Sequence, residues 1–111
     1  MRAAPAALVT TFLLIAAASP VRSDETGFAS SHDLRKENGK LCMTDHAHAG
    51  YGTGATKAAA RVAAIRAWAD FTNLEYGSSW ASYSAAASPT TKYVKEAVGW
   101  GTNIEGRPCR R

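Results

Sequence analysis

Between Thr56 and Gly77 the chain reads TKAAARVAAIRAWADFTNLEYG, and its apolar positions return with the period of an α-helix. At about 100° per residue, Ala64, Ile65, Trp68, Phe71, Thr72 and Tyr76 fall on one arc, with Arg66, Asp70 and Asn73 opposite. The alanines lose no side-chain entropy in a helix, and neither Gly nor Pro interrupts the run. Thr56 suits the N-cap, because its hydroxyl can accept from an orphan backbone N–H. Gly77 suits the stop, because positive φ costs it no Cβ clash. Two large aromatics on the inner arc require a surface to cover.

After Gly77 the pattern shortens from a period of 3.6 to a period of two. In residues 80–86, Trp80, Ser82 and Ser84 alternate with Ala81, Tyr83 and Ala85, which predicts a strand. Ser88-Pro89 signals a turn. Residues 90–95 predict a second strand, with Thr91, Tyr93 and Lys95 against Lys92 and Val94. Residues 100–105 predict a third, with Trp100, Thr102 and Ile104 on one face. An all-helical reading is weaker, since Pro89 and Gly99 would interrupt the helix and the aromatics prefer strands. The predicted fold is α+β: one long amphipathic helix packed on a small three-stranded antiparallel meander.

The N-terminal part has a different character. Met1-Arg2 is followed by an apolar run over residues 6–18 and then by Val21-Arg22-Ser23 before Asp24. That order is the pattern of a cleaved export signal over residues 1–23. The run is too short to span a hydrocarbon core of about 30 Å. The expected mature protein is therefore periplasmic or secreted, with no stable membrane anchor after cleavage. Residues 24–40 are polar, with Phe28 and Leu34 the sizeable apolar positions, and read as a partly disordered lead-in. Residues 41–111 read as one small domain. Such a domain often needs a covalent staple, and an oxidising compartment would join Cys42 to Cys109. The loop so closed contributes roughly 4 kcal/mol in the chain-entropy picture.

Charge and motifs add less. Without Arg2 and Arg22, eleven Lys and Arg face nine Asp and Glu, a net of +2. That is too mild for nucleic-acid binding, and the terminal Arg107, Arg110 and Arg111 read as a solvated cluster. Asp45-His46-Ala47-His48 is the sharpest chemical feature. In an extended segment His46 and His48 point the same way and can share one ion, with Asp45 as an oxygen donor and His32 reaching in from the lead-in. Imidazole with carboxylate suits zinc, copper or nickel. Read without an ion, the same residues are a polar loop whose histidines face water or bond to backbone.

Gly50-Tyr51-Gly52-Thr53-Gly54 precedes a helix as a phosphate-binding loop does, but no Gly-Lys-Ser/Thr follows it, and a flexible lead-in is the better reading. No nucleophile elbow surrounds any serine, and a Cys42–His46 pair would lose its thiol to Cys109. An enzyme, of hydrolase type, therefore ranks last. Trp68, Tyr76 and Trp80 read as core, leaving Tyr51, Tyr93 and Trp100 as the aromatics for a surface.

Taken together, H-A-H-A-G-Y-G from His46, K-A-A-A-R-V-A-A-I-R-A-W from Lys57, E-Y-G-S-S-W-A-S-Y from Glu75 and R-P-C from Arg107 resemble a group of short exported proteins of alphaproteobacteria. The resemblance runs from about Cys42 onward. It implies an exported location and a compact fold, and it implies no activity. It also implies further cysteines near the positions of Tyr93 and Thr102, which this chain lacks. The leading expectation is a non-enzymatic exported domain with a binding or structural role in the cell envelope, its partner an envelope protein or a small ligand and no cofactor required. Divalent-metal binding through Asp45, His46 and His48 is the alternative.

Overall fold

The computed structural model describes residues 2–5 and 24–110, so the expected export signal lies, apart from residues 2–5, outside the described residues. The chain runs β1 (Leu34–Glu37), β2 (Lys40–Met43), β3 (His48–Gly54), α1 (Lys57–Tyr76), β4 (Ala87–Lys95), β5 (Trp100–Arg107) and β6 (Cys109–Arg110). The strands form two antiparallel three-stranded sheets, ordered β1-β2-β6 and β3-β5-β4. The architecture is α+β with one disulfide, Cys42–Cys109, whose cysteines face each other across the β2–β6 pair.

The helix forms where its composition places it. Thr56 Oγ1 accepts from the Ala59 N–H at 3.1 Å, and Gly77, at φ 103°, closes the last turn by donating its N–H to Asn73 O. Its buried face is narrower than the predicted arc. Ala60, Ala64, Trp68, Thr72 and Tyr76 form a row at every fourth position, Ile65 is half-buried, and Phe71 is 48% exposed. The cause lies in what the helix covers. Gly50, Gly52 and Gly54 alternate down β3 on the side facing the helix. A Cβ on Gly50 would come within 2.3 Å of Ala64 O, and one on Gly52 within 2.2 Å of Ala64 N. A strand stripped of side chains lets one ridge of small residues sit against its backbone, with no room for a broad apolar stripe.

The predicted meander is corrected in one strand. Residues 80–86 form two 3₁₀ turns, Ser78–Trp80 and Tyr83–Ala85, while the third strand of the sheet is β3, taken from the glycine-rich stretch expected to be irregular. Strand β5 is central, paired with β3 on one side and β4 on the other, so both its edges are taken before residues 80–86 could pair. The two large anchors of that segment also serve different cores. Trp80 packs with Ala29, Met43 and Tyr76, whereas Tyr83 joins Ala64, Trp68, Ala86 and Ile104. Trp68, Tyr76 and Trp80 are fully buried; Tyr51 and Tyr93 are exposed and Trp100 is half-buried.

The lead-in is built around an Asn-Gly turn. Asn38 and Gly39 take φ of 50° and 76°, the positive values of a two-residue hairpin turn, and pair Leu34–Glu37 with Lys40–Met43. This hairpin closes over the C-terminal end of α1. Arg107 then links the two sheets, donating to both carboxylate oxygens of Glu37 at 2.5 and 2.7 Å and to Met43 O at 2.6 Å.

Candidate metal centre

His48 is the first residue of β3, and strand alternation puts it on the same side as Gly50 and Gly52, against the helix. The helix row ends there with Thr72 and Tyr76, and Glu75 stands beside them on the last turn. His48 is 2% exposed. Its Nδ1 lies 2.8 Å from Thr72 Oγ1 and its Nε2 3.2 Å from Glu75 Oε2. The Tyr76 ring stacks on the imidazole at 5.1 Å, and half-exposed Phe71 leans on it at 4.5 Å.

These contacts assign the tautomer. A threonine hydroxyl has one proton, and Thr72 gives its proton to Trp68 O at 2.8 Å. Thr72 Oγ1 therefore accepts from His48, so Nδ1 carries the hydrogen and Nε2 carries the lone pair. That lone pair is buried and has no hydrogen-bond partner, yet it faces a carboxylate oxygen. Two electron-rich atoms 3.2 Å apart repel unless a positive charge stands between them. Burial pushes the His48 imidazole below its ordinary value, against the pull of Glu75 and with the help of neighbouring His46. Burial thus works against a proton on His48 while Glu75 works for one.

His46 completes the group. Ligand atoms of His46, His48 and Glu75 all lie within 4.8 Å of one another, a gathering of three such donors among the described residues. Two imidazoles on one tetrahedral ion, at about 2.0–2.1 Å per nitrogen, hold their ring centres roughly 5 Å apart. The His46 and His48 ring centres are 4.9 Å apart. Thr72 on the far nitrogen of His48 matches the way a ligating histidine is normally oriented by a bond to its other nitrogen. Two imidazoles and a carboxylate select late first-row divalent ions over magnesium or calcium.

Of the other residues named from the sequence, Asp45 stands outside this group. Its Oδ1 is 3.8 Å from His32 Nδ1, and the carboxylate beside His48 is that of Glu75. His32 is held by the Tyr76 hydroxyl, 3.0 Å from its Nε2, with its ring centre 5.0 Å from that of His46. Cys42 is bonded to Cys109 and supplies no thiolate. The glycines at 50, 52 and 54 turn their open side to the helix backbone, which fills the space a phosphate would need.

Glu75 and Thr72 escaped the sequence reading as site residues because they stand far along the chain from the histidines, 24 positions from His48 to Thr72, and only packing brings the helix end over β3. One cue was present. A carboxylate in the last turn of a helix stands against the negative end of the helix dipole, and no basic residue in that turn offsets Glu75. Compared with family models, curated proteins and solved structures, the chain shows no match.

Proposed function

We propose that this protein is an exported, disulfide-closed domain that reversibly binds a divalent transition ion, zinc, copper or nickel, through His46, His48 and Glu75. The observation that carries the reading is the buried His48 Nε2, without a hydrogen-bond partner and 3.2 Å from a carboxylate oxygen. An ion there would receive the lone pair and the carboxylate together and remove their repulsion. His46 and Glu75 keep part of their surface in solvent, which supports exchange of the ion over permanent enclosure. Export is supported by the apolar N-terminal run with its cleavage pattern and by the disulfide, which persists in oxidising compartments. The role is binding, in the envelope or outside the cell, and not turnover.

The test is calorimetric melting of tag-free protein with and without each ion. An ion at one hundred times its dissociation constant adds about 2.7 kcal/mol to folding, which raises the melting temperature of a domain this size by roughly 10 °C or more. Glu75→Gln keeps the shape of the side chain and removes its charge, and His46→Ala removes a half-exposed ring. Each should abolish most of the rise. Absence of any rise in the wild type, at high micromolar ion, would mean that a proton bridges His48 and Glu75, and the reading would fall.

A further inference from the structure

Three donors leave a tetrahedral ion one position short, and the segment just before β1 holds a third imidazole, His32, beside the site. His32 follows the 3₁₀ turn Phe28–Ser31, and its ring meets the Tyr76 ring edge-on at 5.4 Å. Its Nδ1 faces Asp45 Oδ1 at 3.8 Å, an arrangement that favours the hydrogen on Nδ1 and the lone pair on Nε2. Nε2 lies 3.0 Å from the Tyr76 hydroxyl, which the Glu75 carboxylate also engages. The His32 ring centre stands 5.0 Å from the His46 ring centre, a spacing like the 4.9 Å between His46 and His48. His46 therefore sits between two imidazoles, each at the separation of rings that share one ion.

We infer that His32 is the fourth ligand, turning from the Tyr76 hydroxyl onto the ion bound by His46, His48 and Glu75, with Asp45 orienting it through Nδ1. This rests on the metal reading above and extends it in two ways. The donor set becomes three imidazoles and one carboxylate, which fits Zn²⁺ and Cu²⁺ and gives no advantage to Mg²⁺ or Ca²⁺. The ion also becomes a clasp. His32 belongs to the N-terminal segment, His46 and His48 to the approach and start of β3, and Glu75 to α1, so loading the site ties that segment to the helix and sheet. In the ion-free arrangement the Tyr76 hydroxyl takes the place of the ion at His32 Nε2. Tyr76 is therefore a competitor for His32, not a ligand.

The experiment compares full-chain, tag-free wild type with His32→Ala, Tyr76→Phe and Glu75→Gln. Zinc affinity is read by competition with a chromophoric chelator, and the coordination of Co²⁺ is read by its visible absorption. His32→Ala should weaken zinc binding at least roughly tenfold, the low end of what a residue supporting a metal site contributes. It should also shift the cobalt spectrum from the intense bands of a four-coordinate site to the weak bands of higher coordination with water. Tyr76→Phe should leave zinc affinity equal or tighter, because it releases His32 from a competing bond. If His32 served only to hold Tyr76 in place, Tyr76→Phe would weaken binding as His32→Ala does, and the inference would be overturned. Unchanged affinity and an unchanged cobalt spectrum in His32→Ala would overturn it too, while the three-donor site stood. Failure of the wild type to bind zinc or cobalt at all would overturn both, and Glu75→Gln separates the cases by removing the ion whether or not His32 takes part.

Discussion

The glycine row on β3 is the most demanding feature of this fold, and Gly52→Ala tests it directly. A Cβ on Gly52 would stand 2.2 Å from Ala64 N and 2.6 Å from the carbonyl carbon of Ala63, where ordinary contact begins at 3.4 Å. The helix must retreat by about 1.2 Å, the difference between those distances, because the obstructing atoms belong to its backbone and cannot rotate away. A gap of 0.5–1 Å already forfeits about a quarter to a half of a dispersion well, and the loss falls on the buried row Ala60, Ala64 and Trp68. Overpacking usually costs about 1–3 kcal/mol, and a site with backbone on both sides belongs at or above the top of that range. We expect roughly 3 kcal/mol or more, a large share of the roughly 5–15 kcal/mol typical of a folded domain. Chemical denaturation gives the number, and Thr53→Ala, on the exposed face of the same strand, is the control at under about 1 kcal/mol. Because β3 also carries His48, the same substitution should move the imidazole from Glu75 and so weaken the proposed metal binding. Equal stability of the Gly52 and Thr53 variants would show that the helix does not lie against β3 as described.

Trp68→Ala should cost roughly 3–5 kcal/mol, since the ring is fully buried against Tyr83 and its N–H is bonded to Gly106 O, whereas Arg66→Ala on the exposed side should cost under about 0.5 kcal/mol. Comparable losses in denaturation would mean the helix faces the other way. Non-reducing peptide mapping should recover Cys42 joined to Cys109, and two alkylatable thiols in exported protein would contradict it. The paired hydrogen bonds from Arg107 hold the Glu37 carboxyl down to about 2 from an ordinary 4.5. A carboxyl lowered on folding stabilises the native state above its unfolded value, and that stabilisation is lost as pH falls from about 4.5 towards 2. Wild type should therefore lose more stability than Glu37→Gln across this window. Parallel curves would show that the Glu37–Arg107 pair does not contribute.

The sequence by itself determined the elements whose causes are local. Thr56, an unbroken alanine-rich run and Gly77 specify the helix ends without help from the rest of the chain, and the structure places them as the pattern does. Residues 90–95 and 100–105 alternate strongly enough to be strands in isolation, and both are. Residues 24–40 read as a partly disordered lead-in because they are polar, and the reading passed over Asn38-Gly39, the turn that pairs β1 with β2. The pairing of Cys42 with Cys109 followed from there being two cysteines and a small domain in need of closure.

Tertiary structure decided what depended on a neighbour. The alternating glycines of β3 look like a loop because glycine has weak strand preference, and only the helix backbone lying on them explains why side chains are absent. Residues 80–86 alternate as a strand should, but β5 had both edges filled, so the alternation was spent on sending Trp80 and Tyr83 to two separate cores. At the proposed metal site, spacing two apart was enough to put His46 and His48 together. The carboxylate beside them came from the end of a helix, and the hydroxyl that fixes the tautomer of His48 from one turn earlier. A strand holds its neighbours in sequence on a common face, while a site assembled across a helix–sheet contact depends on the distance of closest approach. Here that distance was set by three missing side chains.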